Sequence, residues 1–407
     1  MENYSLLMGA AAVMKMAVEM AAVSMEKPSG GTSPLRQRAG TETPVPQILA
    51  SRWRRLWKVS VVFVNRVELD DAARVESGTN WYNMFMFGDS FADTGNSPGS
   101  GTGVPTRLSR AWFDPYGLNY EDYNGHWQGL SPSGRFSDFM VQSDVIAKIM
   151  GFHEAAPAYK QSNNFCHPYG MTLATVGAGV FYTPDETPTL GEQVDTFKRL
   201  MYDGFISSTR LDGAFLFVAI SGNDYIPKIN LFGNTSTNSI IPLTPYIENV
   251  TNEIVANVHR LQKLGAQKIL VNNMHPLGCM PRHTRVNNHT RCESHGNFIA
   301  TAHNSMLQQK LGNNSNVLIL DLYTAFTNVI NNQTPDSQRF TFKLAPSCEA
   351  NEPEGFCGYR DGSLHHFYVL DEDHLFKHFY WDDMHPTSAG WKAVMKQLEG
   401  SIKSFMS

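Results

Sequence analysis

The chain has 407 residues, 42% of them hydrophobic and 17% charged, with 33 basic against 38 acidic side chains for a formal charge of −5. This excludes a disordered polar chain and a collagen-like one, and the slight acidic excess gives no basic footprint for nucleic acid. The longest uninterrupted apolar run, Leu6–Met14, has nine residues, whereas a transmembrane helix needs about twenty.

Residues 1–82 lack the apolar spacing of a packed domain and read as a leader or a poorly ordered extension. Methionine and alanine dominate the first 25 residues, Ser24 to Gln47 is rich in Ser, Pro, Gly, Thr and Arg, and Arg52 to Lys58 is basic and aromatic. Leu6–Met14 suits a signal-peptide core cleaved near Ser24. Glu2 is the only charge before it, however, where Lys or Arg is expected, and a short helix fits equally.

From Asn83 the pattern is regular. Short apolar runs at Met84–Phe87, Met171–Thr175, Ala214–Ile220, Ile269–Val271 and Val317–Leu320 suit buried parallel strands. Helices are expected between them over Phe136–Met150, Leu190–Met201 and Phe298–Leu311, with a last one over Thr387–Phe405. Ile247, Val250, Ile254, Val258, Leu261 and Leu264 recur at spacings of three or four, a one-faced helix closed by Gly265. Strands alternating with helices predict one α/β domain over 83–407, a parallel sheet covered on both faces.

Candidate chemistry lies at the expected strand ends, where ligands bind in such sheets. Ser90 follows the first strand in Gly88-Asp89-Ser90, which taken alone is equally a turn or a helix cap. Asp382 precedes His385 by three residues, so one loop can supply a base and the group that orients it. Asn223, after the strand at 214–220, and Gly177, in Ala174–Gly179, can donate to an oxyanion, or can simply form an Asx-turn and a tight bend. Gly99–Gly103 imitates a phosphate loop, but no Lys-Ser/Thr follows.

Gly88-Asp89-Ser90, Gly177, Gly222-Asn223-Asp224 and Asp382-x-x-His385-Pro386 occur in the order of the GDSL esterase/lipase family, the SGNH hydrolases, which the chain resembles over about residues 83–405. Pro115-Tyr116-Gly117, Gly134–Asp138, Pro276–Pro281 and His303-Asn304 make it most similar to the plant-type branch. Phe91 and Thr172 depart from that pattern, standing where leucine and asparagine are usual. The resemblance implies a three-layer α/β/α, flavodoxin-like fold and a serine esterase or lipase acting through an acyl-serine intermediate. It also implies Ser90 as nucleophile, His385 as base and Asp382 as its orienter. Ser90, Gly177 and Asn223 would form the oxyanion hole, with Gly177 preferred to Gly179 by alignment. Acyl transfer to an alcohol is the alternative use of such a site, and an inactive carbohydrate- or lipid-binding module the third.

No cofactor or metal is implied; the substrate would be a small-molecule, lipid or acetylated-polysaccharide ester. Cys279, His283, Cys292 and His295 have a spacing open to zinc, but the resemblance implies bridges Cys279–Cys292 and Cys348–Cys357, leaving Cys166 over. Glycosylation sequons at Asn234, Asn249, Asn288, Asn313 and Asn332, with these bridges, favour a secreted protein.

Overall fold

The computed structural model describes residues 81–407, apart from residues 100, 102, 118–119, 122–126, 129–131, 163–166, 185–186, 228–242 and 364. All of these belong to the second of two units, Val61–Ser407. The signal-peptide and basic stretches, Cys166 and Asn234 lie outside the described residues.

Five parallel strands form the central sheet: β1 (Asn83–Gly88), β2 (Gly170–Thr172), β3 (Ala214–Ala219), β4 (Lys268–Asn272) and β5 (Val317–Leu320). Their order is β2-β1-β3-β4-β5. Six longer helices cover it: α1 (Gln142–Ile149), α2 (Leu190–Tyr202), α3 (Thr244–Lys263), α4 (Ser294–Leu311), α5 (Leu322–Ile330) and α6 (Ser388–Met406). The apolar strand runs follow from burial on both faces. Alternate residues of β1 point to opposite layers, Phe85 and Phe87 towards α2, α3 and α4, and Met84 and Met86 towards α1, α5 and α6. The result is a three-layer α/β/α fold.

Since β2 lies on one side of β1 and β3 on the other, the chain turns in opposite directions from these carboxyl ends, and a crevice opens there. β1 and β3 approach closely at this point. Gly88 has φ +120°, and a Cβ there would sit 1.8 Å from the Ala219 carbonyl oxygen. Only glycine permits that approach.

Several bounds differ from those expected. The first helix begins at Gln142, not Phe136, because residues 136–141 run past the loop at 385–386. There Asp138 Oδ1 accepts from the Ser388 backbone N–H (2.6 Å) and hydroxyl (2.9 Å), tying this segment to the start of α6. α4 starts earlier than expected because the Glu293 side chain caps the N–H groups of His295 and Gly296. The strand expected at Met171–Thr175 leaves regular pairing after Thr172, although Thr175 N–H still donates to Gly88 O (2.9 Å).

Three small strand pairs were not foreseen, the first joining Tyr120–Glu121 antiparallel to Trp127–Gln128. In the other two, Phe342–Pro346 runs parallel to His378–Tyr380, and Cys348–Ala350 antiparallel to Tyr368–Leu370. These two brace the loop that carries Asp382, since Cys348 N–H donates to Trp381 O at 2.8 Å.

Candidate active site

Ser90 is the second residue after β1, within a single turn made by Ala92 and Asp93 N–H donating to Asp89 O. The strand end is clamped from α2, where the buried Gln193 side chain accepts from Gly88 N–H (2.7 Å) and donates to Gly88 O (2.9 Å). Phe91 packs edge-on against Trp391 of α6, ring centroids 4.7 Å apart, filling the space beneath the turn.

His385 enters from the other end of the chain. Its loop precedes α6, which is capped by the Thr387 hydroxyl accepting from Gly390 N–H. His385 Nε2 lies 2.8 Å from Ser90 Oγ, and Nδ1 lies 2.8 and 2.9 Å from the two Asp382 oxygens. Ser90 and His385 are 4% and 3% exposed and Asp382 is fully buried, so water does not compete for these contacts.

Asp382 accepts from more than His385. Met384 and His385 N–H donate to Oδ1, and the Tyr116 hydroxyl (2.7 Å) and Arg110 Nη2 (3.1 Å) donate to Oδ2. Burial pushes this carboxyl up, but the charges of His385 and Arg110 and the hydrogen bonds from His385 and Met384 outweigh it, holding it well below the usual carboxylate range. An ionised carboxylate only accepts, so it fixes the imidazole proton on Nδ1 and leaves the Nε2 lone pair facing the serine.

The turns beside Ser90 leave backbone N–H donors free. The N–H groups of Asp89, Phe91, Ala92 and Asp93 are all used, whereas that of Ser90 has no acceptor among the described residues. Similarly Thr175, Val176 and Ala178 N–H are engaged but Gly177 N–H is not. Gly177 has φ +77°, a left-handed turn that suits glycine. The Gly179 N–H has no acceptor among the described residues either, but a side chain at Gly179 would strike Asp224 and Tyr182 O, which marks a tightly packed bend. The Asn223 amide, half-buried after β3, donates to Ala178 O (2.9 Å) and makes a long contact with Asp89 Oδ2 (3.3 Å).

Three buried carboxylates knit these turns together. Asp89 Oδ2 accepts from the Ser221 N–H and hydroxyl, both at 2.6 Å; burial pushes Asp89 up to about 6 against the pull of those bonds. Asp93 Oδ2 accepts from Val176 N–H, joining the Ser90 turn to the Gly177 turn. Asp224 accepts from Val180, Phe181 and Tyr182 N–H.

Sequence reasoning did not assign roles to Arg110, Gln193 or Ser221. Arg110 gave no sign, being one arginine in a loop, and Tyr116 showed only as part of Pro-Tyr-Gly. Thr172, where asparagine is usual, donates its hydroxyl to Ala156 O at 2.7 Å. Both expected bridges are present, Cys279–Cys292 and Cys348–Cys357, with S–S distances of 2.04 and 2.06 Å. Their sulfurs are therefore not the thiolates a zinc site would use. A cavity of about 870 Å³ is lined in part by Arg107, Arg282, Glu349, Phe356 and Asp383; none of Ser90, Asp382 and His385 lines it.

The profile of the GDSL-like Lipase/Acylhydrolase family matches residues 84–398. The GDSL esterase/lipase At5g03610 of Arabidopsis thaliana is 34% identical over 330 residues, covering 78% of this chain and 86% of its own. The GDSL esterase/lipase At3g09930 of the same plant is 32% identical over 335 residues, covering 79% and 88%. The chain thus belongs to the GDSL-like lipase/acylhydrolase family and is a carboxylic ester hydrolase.

Proposed function

We propose that the enzyme cleaves its ester through an acyl-serine intermediate, with Ser90 as nucleophile, His385 as base and then acid, and Asp382 as orienter. The observation that carries this reading is the continuous contact from Ser90 Oγ through His385 to Asp382, 2.8 Å at each step. The Ser90 proton passes to His385 Nε2 as Oγ bonds to the ester carbonyl carbon, and the carbonyl π pair moves onto its oxygen. The free Ser90 and Gly177 N–H groups, with one Asn223 amide hydrogen, stabilise that oxyanion. Collapse breaks the bond to the alcohol oxygen, which takes the proton from His385. Water then repeats the sequence, releasing the carboxylic acid and restoring Ser90.

In this reading residues 83–407 are the catalytic domain and residues 1–82 precede it. The substrate is a small-molecule or lipid ester, and the route is secretory. Two bridges support that route, as do the exposed asparagines of four sequons, Asn249, Asn288, Asn313 and Asn332. Among the described residues, no helix is long and apolar enough to cross a membrane.

A fluorophosphonate probe tests the mechanism. It should label Ser90 alone, and Ser90→Ala should lower kcat by about 10⁴–10⁶ while the protein stays folded. Labelling of another serine, or full turnover by Ser90→Ala, refutes the assignment.

A further inference from the structure

Arg110 is a cation that the protein has buried, only 4% of it exposed. Nε donates to the Tyr116 hydroxyl oxygen (2.7 Å), Nη1 to Arg107 O (3.0 Å), and Nη2 to Asp382 Oδ2 (3.1 Å) and Asp383 Oδ1 (3.2 Å). Phe136 covers one face of the guanidinium, 5.1 Å from its centroid, and the same ring lies 5.1 Å from the His385 ring.

The chemistry fixes the direction of every bond in this chain. A guanidinium has no acceptor, so the Tyr116 oxygen receives the Nε proton and its one hydroxyl proton must go to Asp382. The carboxylate then faces His385 on one side and a rigid cationic fork plus a phenol on the other. Asp382 thus has a donor set built for it from the loop at 110–116, more than 260 residues away in sequence. Burying a guanidinium is costly unless its charge is paired and its donors satisfied; here Asp382 and its neighbour Asp383 pair the charge, and the Tyr116 hydroxyl and Arg107 O take further donors.

We propose that Arg110 and Tyr116 are positioning residues of the ester-hydrolysis site, aiming Asp382 at His385 and partly neutralising its charge so that His385 releases its proton readily to the leaving alcohol. This rests on the Ser90–His385–Asp382 reading. Other charged or titratable groups near His385 are Asp89 behind the nucleophile turn, Asp383 with Arg107 beside it, Arg282 against Met384, and His275 on the far side of Phe91. They remain unchanged in the variants below.

Removing the cation leaves the negative charge of Asp382 less balanced, which favours the protonated imidazole. Arg110→Met should therefore move the acid limb of the kcat/KM–pH profile upward by about one pH unit, the low end of the effect of a nearby charge. Tyr116→Phe, which removes only a hydroxyl, should move it the same way by a few tenths. Arg110→Lys, keeping charge without the fork, should recover part of the shift. Rates are normalised to the fraction of enzyme that a fluorophosphonate labels at Ser90, so partial unfolding does not imitate the effect. Tyr116→Phe carries the test if Arg110→Met fails to fold.

An acid limb that stays in place or moves downward, in protein labelled at Ser90, overturns the inference alone. Wild-type protein not labelled at Ser90 overturns the underlying mechanism as well.

Discussion

Replacing Asn223 by alanine separates transition-state stabilisation from support of a turn. Its amide carries two hydrogens. One is used by Ala178 O at 2.9 Å, and the other has only the long 3.3 Å contact with Asp89 Oδ2. That second hydrogen is the one available to a developing oxyanion. Losing one such donor costs about 2.7–4 kcal/mol of transition-state stabilisation, so kcat should fall by roughly 10²–10³ with KM little changed. The folded state loses less. Ala178 O gives up one hydrogen bond beside a half-buried residue where water can replace it, at a cost of about 0.5–1.5 kcal/mol. For a domain of this size that corresponds to a Tm lower by only a few degrees, about 1–6 °C. Steady-state kinetics on a short-chain ester, with a thermal melt of the same preparation, measures both quantities. A stable variant with kcat within threefold of wild type removes Asn223 from the oxyanion hole. A large Tm loss with kcat intact would make it a turn residue only.

Two further outcomes follow from the scaffold. The Cys279–Cys292 bridge closes a loop with a sequence separation of 13, and a loop of about this length contributes roughly 3 kcal/mol by restricting the unfolded chain. The double variant Cys279→Ser, Cys292→Ser should melt several degrees lower, and an unchanged Tm would refute that contribution. Burial pushes His275, His283 and His303 each down to about 3, whereas it pushes Asp89 and Asp93 up to about 6. As pH falls below about 6.5 the unfolded chain binds protons at these histidines that the native protein refuses, so stability is lost from there towards pH 3. The two aspartates act oppositely, since the native protein takes up their protons first and gains stability between about pH 6 and 4. Three histidines with larger displacements outweigh two aspartates, so Tm should fall between pH 7 and 4.5. A flat or rising Tm over that range would refute the balance.

The amino-acid sequence by itself determined the alternation of buried strands and amphipathic helices, because parallel strands covered on both faces must be apolar along their whole length. Its short local motifs also made Ser90, Asp382 and His385 candidates, whereas the choice of Gly177 and Asn223 as oxyanion donors came from the family resemblance. The sequence misjudged the segment at 136–141, where apolar Phe136, Met140 and Val141 imitate a helix. There the bonds between Asp138 and Ser388 prevail over local periodicity, and that partner lies 250 residues away. Sequence could not reveal that Arg110 and Tyr116 stand behind Asp382, or that Gln193 clamps Gly88, because a lone arginine, tyrosine or glutamine looks the same in any loop or helix. Only tertiary structure decided these, since the energy of a buried charge or amide depends on which distant groups the sheet order brings within 3 Å of it.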